Sequence, residues 1–238
     1  MKAAVKQGWP EDDQAFRREV LEKIRASYSP AFHLVFPSVV GVGLAAAGIW
    51  LVRHPTWLEL LIVPLIYVIS NATEWRMHKH VLHRRIPGMS LLYDRHTPIH
   101  HRLFRADDMS IRSRREFAMV LIPPYGILLV AGVVVPVAAL LFFLGHYPNL
   151  AGLFLATTML YTVSYEWLHL SYHMPPESLV GRIWLVRVLK RHHATHHDPH
   201  LMQKWNFNVT VPLWDFVRGT IHRDDYGLQT AGYGKKLR

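Results

Sequence analysis

Four apolar runs divide an otherwise polar chain. Residues 32–52 contain no Lys, Arg, Asp or Glu, and residues 57–73 carry only Glu59. Residues 117–144 form a longer run interrupted by Pro123, Pro124 and Pro136, and residues 150–168 close the set with Glu166 near their end. A helix crossing the hydrocarbon needs about 20 apolar residues, so the first, third and fourth runs have the length of spans. The second has it if its helix continues past Asn71. The prolines of the third run predict a kink, a tilt or a broken helix. The first 31 residues are polar and mixed in charge, and they lack the pattern of a cleaved signal. As buried helices of a soluble protein, four such runs in 238 residues leave too little polar surface to cover them. The pattern therefore predicts an all-α integral membrane protein, a single domain over residues 1–238, with four transmembrane helices in two hairpins.

The charges refine that picture. The formal net charge is +10, with Lys and Arg numbering 6 before Phe32, 10 in residues 74–116 and 10 after Leu168. Arg53 alone lies in a turn on the other side. The positive-inside rule places both termini and the 74–116 loop in the cytoplasm, in a bacterial inner membrane or the endoplasmic reticulum. Topology explains the net charge, so no nucleic-acid partner is expected. A third run that re-entered without crossing would leave the two polar segments on opposite faces.

The chain has 17 His and no Cys. Disulfides, thiolate metal sites, Cys nucleophiles and iron–sulfur clusters are excluded, and metal bound by imidazole becomes the first candidate chemistry. Most of the histidines follow the ends of the second and fourth runs. One segment reads Glu74-Trp-Arg-Met-His78-Lys-His80-Val-Leu-His83, then His96-Thr-Pro-Ile-His100-His101. The other reads Glu166-Trp-Leu-His169-Leu-Ser-Tyr-His173, then His192-His193-Ala-Thr-His196-His197 and His200. Each half thus has a helix pair, a Glu-Trp, two His four or five apart, and a closing His group. On a helix His169 and His173 share a face, as do His193, His196 and His197, which suits one metal or a bridge between two. Thr97 is expected to cap a helix with Pro98 at its first position and His100 and His101 in its first turn. His78 and His83 are about 140° apart on a straight helix, which instead favours His80 with His83. Low-complexity metal-storage tracts lack the Trp, Leu and Val interleaved here at helical spacing.

These residues resemble the fatty acid hydroxylase superfamily, which includes sterol desaturases. Its ordered histidine boxes read here as His78…His83, His96…His100-His101, His169…His173 and His193…His196-His197. Leu121-Ile-Pro-Pro124 and the closing Asn206-Phe-Asn-Val-Thr-Val-Pro-Leu-Trp-Asp215 also match, with Asn208 where the family usually has Gly. The resemblance covers residues 32–220. It implies ten metal ligands, His78, His83, His96, His100, His101, His169, His173, His193, His196 and His197, in a cytoplasmic helical cap holding a dimetal cluster. It also implies that the first pair is His78 with His83, hence a bend near His83 helped by Pro87 and Gly88. His33, His54, His80, His146, His192, His200 and His222 are left as bystanders.

The resemblance further implies two Fe ions (Zn possible as purified) and O2 as co-substrate. The implied reaction is hydroxylation or desaturation of a lipid, fatty acyl or sterol-like C–H bond. No cytochrome b5 domain precedes the boxes, so an external cytochrome b5-, ferredoxin- or reductase-like donor is expected beside the lipid bilayer. Catalytic residues beyond the ligands are not expected. Glu74 and Glu166 are candidate partners for imidazole N–H groups, or plain helix-end carboxylates. Trp205, Tyr165, Met159 and Tyr125 read as packing or interfacial residues rather than a lipid channel. The alternatives are a histidine-box acyl desaturase or carotenoid hydroxylase, and a metal transporter. A transporter would place ligands within the spans, where this chain has almost none.

Overall fold

A computed structural model describes residues 11–226, and every regular element among them is helical apart from one bridge between Arg105 and Asp108. Four long elements form the body. Helix α2 (Pro30–Leu51) is opened by Ser29, whose side chain accepts from the Phe32 N–H, with Pro30 in the first turn. Short α3 (Trp57–Leu60) starts with a capping box between Thr56 and Glu59 and leads into α4 (Ile62–Met77). Helices α8 (Gly126–Phe143) and α9 (Pro148–Tyr172) complete the bundle.

Helix α9 is the centre of this body, packing against α2, α8 and α4. Its approach to α2 is close because both surfaces are small. A Cβ on Gly48 would lie 2.6 Å from the Gly152 carbonyl oxygen, and one on Gly152 2.3 Å from that of Gly48. Such contact lets two apolar helices associate through backbone packing where hydrocarbon supplies no hydrophobic drive. At the same end, Asn149 accepts from the Arg53 N–H at 2.7 Å and donates to the Arg53 carbonyl at 3.0 Å and Glu59 at 3.2 Å. One side chain thus ties both turns together.

Three helices are long and apolar enough to cross a bilayer: Pro30–Leu51, Trp57–Leu82 and Gly126–Phe143. Phe32, Val35, Val39, Leu129, Val133 and Phe143 point outward from them, as lipid-facing residues would. One expectation holds and one shifts. The third run is broken, as its prolines allowed: Pro123 and Pro124 separate α7 (Phe117–Val120) from α8, because proline disfavours helical geometry at the preceding residue. Helix α9, the expected fourth span, has 25 residues but is not among the three apolar ones. Flanked by three helices, it carries Thr157, Thr158, Tyr161, Thr162 and Ser164 that a lipid-facing helix would not.

The remaining elements gather where α4 and α9 end. They are α1 (Glu11–Glu22), α5 (Ser90–Arg95), α6 (His101–Leu103), α7, α10 (Trp184–His196) and α11 (Leu213–Arg218), with two single-turn 3-10 helices. The polar N-terminal segment is more than a tail. Its α1 inserts Val20 and Phe16 into a core with Leu103, Phe104, Ile111, Val120 and Leu170. Buried Arg17 donates to Glu116 and to the Leu103 carbonyl, both at 2.7 Å.

Candidate metal centre

Two widened helical turns set the register of the histidines. After Met77 the chain enters a π-helical turn, His78–Leu82, closed by the His83 N–H donating to the His78 carbonyl at 3.2 Å. A π-turn brings i and i+5 onto one face. The His78 and His83 rings accordingly stack, 5.1 Å apart and 20° from parallel. The bend expected near His83 is this one-residue expansion, and Gly88 at φ +81° turns the chain after it. The second π-turn, His96–His100, continues α5 and directs the His101 N–H to the His96 carbonyl. Thr97 therefore does not cap a helix, because α5 already runs into it. Its hydroxyl donates to the Leu82 carbonyl at 2.7 Å and accepts from His83 Nδ1 at 3.1 Å. Pro98, which has no N–H to bond, sits inside the widened turn.

The turns and helix ends bring ten imidazoles into two buried groups. His78, His83, His96, His101 and His196 form one, and His100, His169, His173, His193 and His197 the other. Within each, the five ligand nitrogens lie within 4.8 Å of one another. The halves of the sequence are interleaved: the first group borrows His196 from the second half, and the second borrows His100 from the first. His193 and His196, one helical turn apart, face different groups. The groups touch where His101 and His197 stack, 4.3 Å between ring centres.

The hydrogen bonds fix which nitrogen faces inward. Nδ1 of His100, His173 and His196 donates to the carbonyls of Met119, Met109 and Trp205 at 2.9, 2.8 and 2.9 Å. Nδ1 of His78 and His197 donates to the Phe207 and Phe104 carbonyls. Neutral imidazole has one N–H, so the Nε2 atoms of these rings carry bare lone pairs. Nε2 of His100 and His173, and that of His169, are buried with no hydrogen-bond partner. His83 and His196 point Nε2 at each other across 2.9 Å, and both hydrogens are spent elsewhere. Two facing lone pairs repel unless a cation lies between them. Adjacent ligands of an octahedral ion at about 2.1 Å would sit about 3.0 Å apart, so the donor set fits a metal. Five imidazoles around an octahedral ion would leave one position open.

Burial keeps the rings neutral, as ligation requires. Removal from water, with neighbouring imidazoles adding repulsion, pushes His83 down to about 2 and His100 down to about 3. His96, His101, His193, His196 and His197 lie well below the ordinary histidine value for the same reasons.

The segment 206–215 supports the first group. Asp215 accepts from the backbone N–H of Phe207 and Asn208 at 3.0 and 2.7 Å, and the Thr220 hydroxyl donates to it at 2.7 Å. Burial pushes the Asp215 carboxyl up, but its hydrogen bonds, from His192, Thr220 and the Asn208 N–H, outweigh this and hold it down. Asn206, at φ +59°, begins the turn that presents the Phe207 carbonyl to His78. Glu74 and Glu166 do not orient imidazoles. Glu74 accepts from Val209 and Thr210 N–H and from the Tyr161 and Thr210 hydroxyls. Glu166 accepts from the Ile122 N–H at 3.2 Å. Each carboxylate braces a loop instead.

Of the bystanders, His33, His54, His80, His146, His192, His200 and His222 all fall outside both groups. His192 lies 3.3 Å from Asp215, and His33 bridges Tyr28 and the Ile122 carbonyl. Met159 and Tyr165 are packing residues, whereas Tyr125 lines a cavity. The acceptor carbonyls of Phe104, Met109 and Met119 left no mark in the sequence, since any residue supplies a carbonyl. The segment 206–215 did. A family model described as fatty acid hydroxylase matches residues 63–220. No curated protein and no solved structure matches the chain.

Proposed function

We propose, for a chain that belongs to the fatty acid hydroxylase family, that it is a membrane non-haem di-iron oxygenase acting on a long-chain lipid. The observation that carries this reading is the pair of buried five-imidazole groups with inward-facing Nε2 atoms. His78, His83, His96, His101 and His196 would hold one iron, and His100, His169, His173, His193 and His197 the other. Bound there, the metals would supply dioxygen activation towards an unactivated C–H bond. Hydroxylation balances as R–H + O2 + 2e− + 2H+ giving R–OH + H2O; desaturation consumes a second substrate hydrogen and releases two waters.

The protein's part is placement. Backbone carbonyls fix His78, His100, His173, His196 and His197 by their Nδ1–H, and burial keeps bulk water from the centre. Lying at the ends of α4 and α9, the centre is within reach of a lipid chain entering from the bilayer. Two electrons come from an external cytochrome b5-, ferredoxin- or reductase-like partner. We place both termini and the histidine centre on the cytoplasmic side, with α9 as a fourth span.

Purified protein is expected to carry about two metal ions. His173→Ala and His196→Ala, one from each group, should abolish lipid oxidation while the protein still inserts into membranes. Unchanged turnover in either variant defeats the proposal.

A further inference from the structure

A cavity of about 830 Å3 lies beside the starts of α2 and α8, bounded by α1 and by the residues flanking the second π-turn. Phe16, Val20, Ile99, Met119 and Pro124 make its walls mostly apolar. At its bilayer side stand Phe32 and Tyr125, more than half exposed. A narrower cleft of about 70 Å3, lined by Leu34, Pro37, Ile127 and Val130, continues from it between α2, α8 and α9. The two share His33 and Pro123.

Two cations lining this cavity, exposed Arg25 and the more buried Arg95, have no ion pair among the described residues. Arg95 donates once, from Nη2 to the Ala118 carbonyl at 2.5 Å. A guanidinium has five N–H donors in a fork suited to a carboxylate or phosphate, so most of its capacity is unspent. No carboxylate among the described side chains pairs with it. The neighbouring polar groups satisfy each other: the Tyr28 hydroxyl donates to His33 Nδ1 at 2.8 Å, and His33 Nε2 donates to the Ile122 carbonyl at 2.9 Å. Lys23 is paired with Glu19. A half-buried, unpaired guanidinium is costly unless something anionic joins it.

We propose that this cavity binds the anionic head of a membrane lipid, a carboxylate or a phosphate, on Arg95. The acyl chain then runs past Phe32 and Tyr125 along α2 and α8. Charge complementarity selects the head, and the apolar walls and adjoining cleft select a chain. The site is separate from the imidazole groups, and binding does not depend on the oxygenase reading.

The test measures binding to the purified, metal-stripped full chain in neutral detergent. Radiolabelled oleate, oleoyl lysophosphatidate and oleyl alcohol share one chain and differ in the head. At least one anionic probe should bind about tenfold or more tighter than the alcohol, as a charge-assisted hydrogen bond implies. Arg95→Gln should erase that preference, and Arg95→Lys should keep part of it. Preference for oleate identifies a carboxylate head, and preference for lysophosphatidate a phosphate. Equal binding of all three probes overturns the site, as does an undiminished preference in Arg95→Gln. Photo-crosslinking of wild-type protein with diazirine-bearing forms of the anionic probes gives a readout independent of variant folding. Adducts are expected within residues 16–37 or 118–130, and adducts confined elsewhere overturn the proposal.

Discussion

Asp215 shows how much one side chain can hold. It accepts from two buried backbone N–H groups and so shapes the turn whose Phe207 carbonyl orients His78. Asp215→Ala leaves those donors without partners, at about 1–3 kcal/mol each. The variant should melt earlier and lose metal from the first group, its content falling from about two ions towards one; full content at an unchanged Tm would contradict this role. The imidazoles make a second prediction. Their folded-state values are depressed, to about 2 for His83 and about 3 for His100, below the unfolded value of 6.5. Above pH 6.5 these rings are neutral in both states. Below it the unfolded chain takes up protons that the folded chain resists, so stability falls as pH falls from 6.5 towards 3. Denaturation of metal-stripped protein across pH 8 to 4 should show that loss, and a flat profile would rule it out.

Among the elements, the two π-turns are the decisive departures from regular helix. In the first, one extra residue per turn aligns His78 with His83. Deleting His80 makes the pair i, i+4, which a regular α-helix also aligns. The deletion variant should therefore retain most of its metal, whereas inserting one Ala after His80 should lose the first group's ion. Metal analysis of both variants checks this; the opposite ranking would mean that the turn does not set the register. Helix α9 illustrates a different point. Its polar residues follow from being enclosed by α2, α4 and α8, so hydropathy alone understates its place in the bundle.

For the whole molecule, the arrangement to be tested is the pair of hairpins. The chain has no Cys, so single cysteines report position without background. His146→Cys lies in the turn between α8 and α9, and Arg84→Cys in the exposed segment after the first π-turn. In intact cells a membrane-impermeant maleimide should label the first and spare the second until the membrane is opened. Labelling of both from one side would break the two-hairpin topology.

The sequence by itself determined the helical class, the apolar runs and the family, because periodicity, charge placement and histidine spacing are local properties that survive in one dimension. It also supplied the ten histidines that the structure gathers. It could not assign them to groups, since His193 and His196 share one helix face yet join different groups, and His100 and His101 are neighbours that separate. That division depends on how α10 packs against α9 and on two π-turns whose extra residue leaves no compositional trace. Nor could it show Arg95 without a counter-charge, because the lack of a partner is a property of the space around a side chain. Tertiary structure decided these points because ligation, hydrogen bonding and charge pairing depend on distances of a few ångströms between residues far apart in the chain.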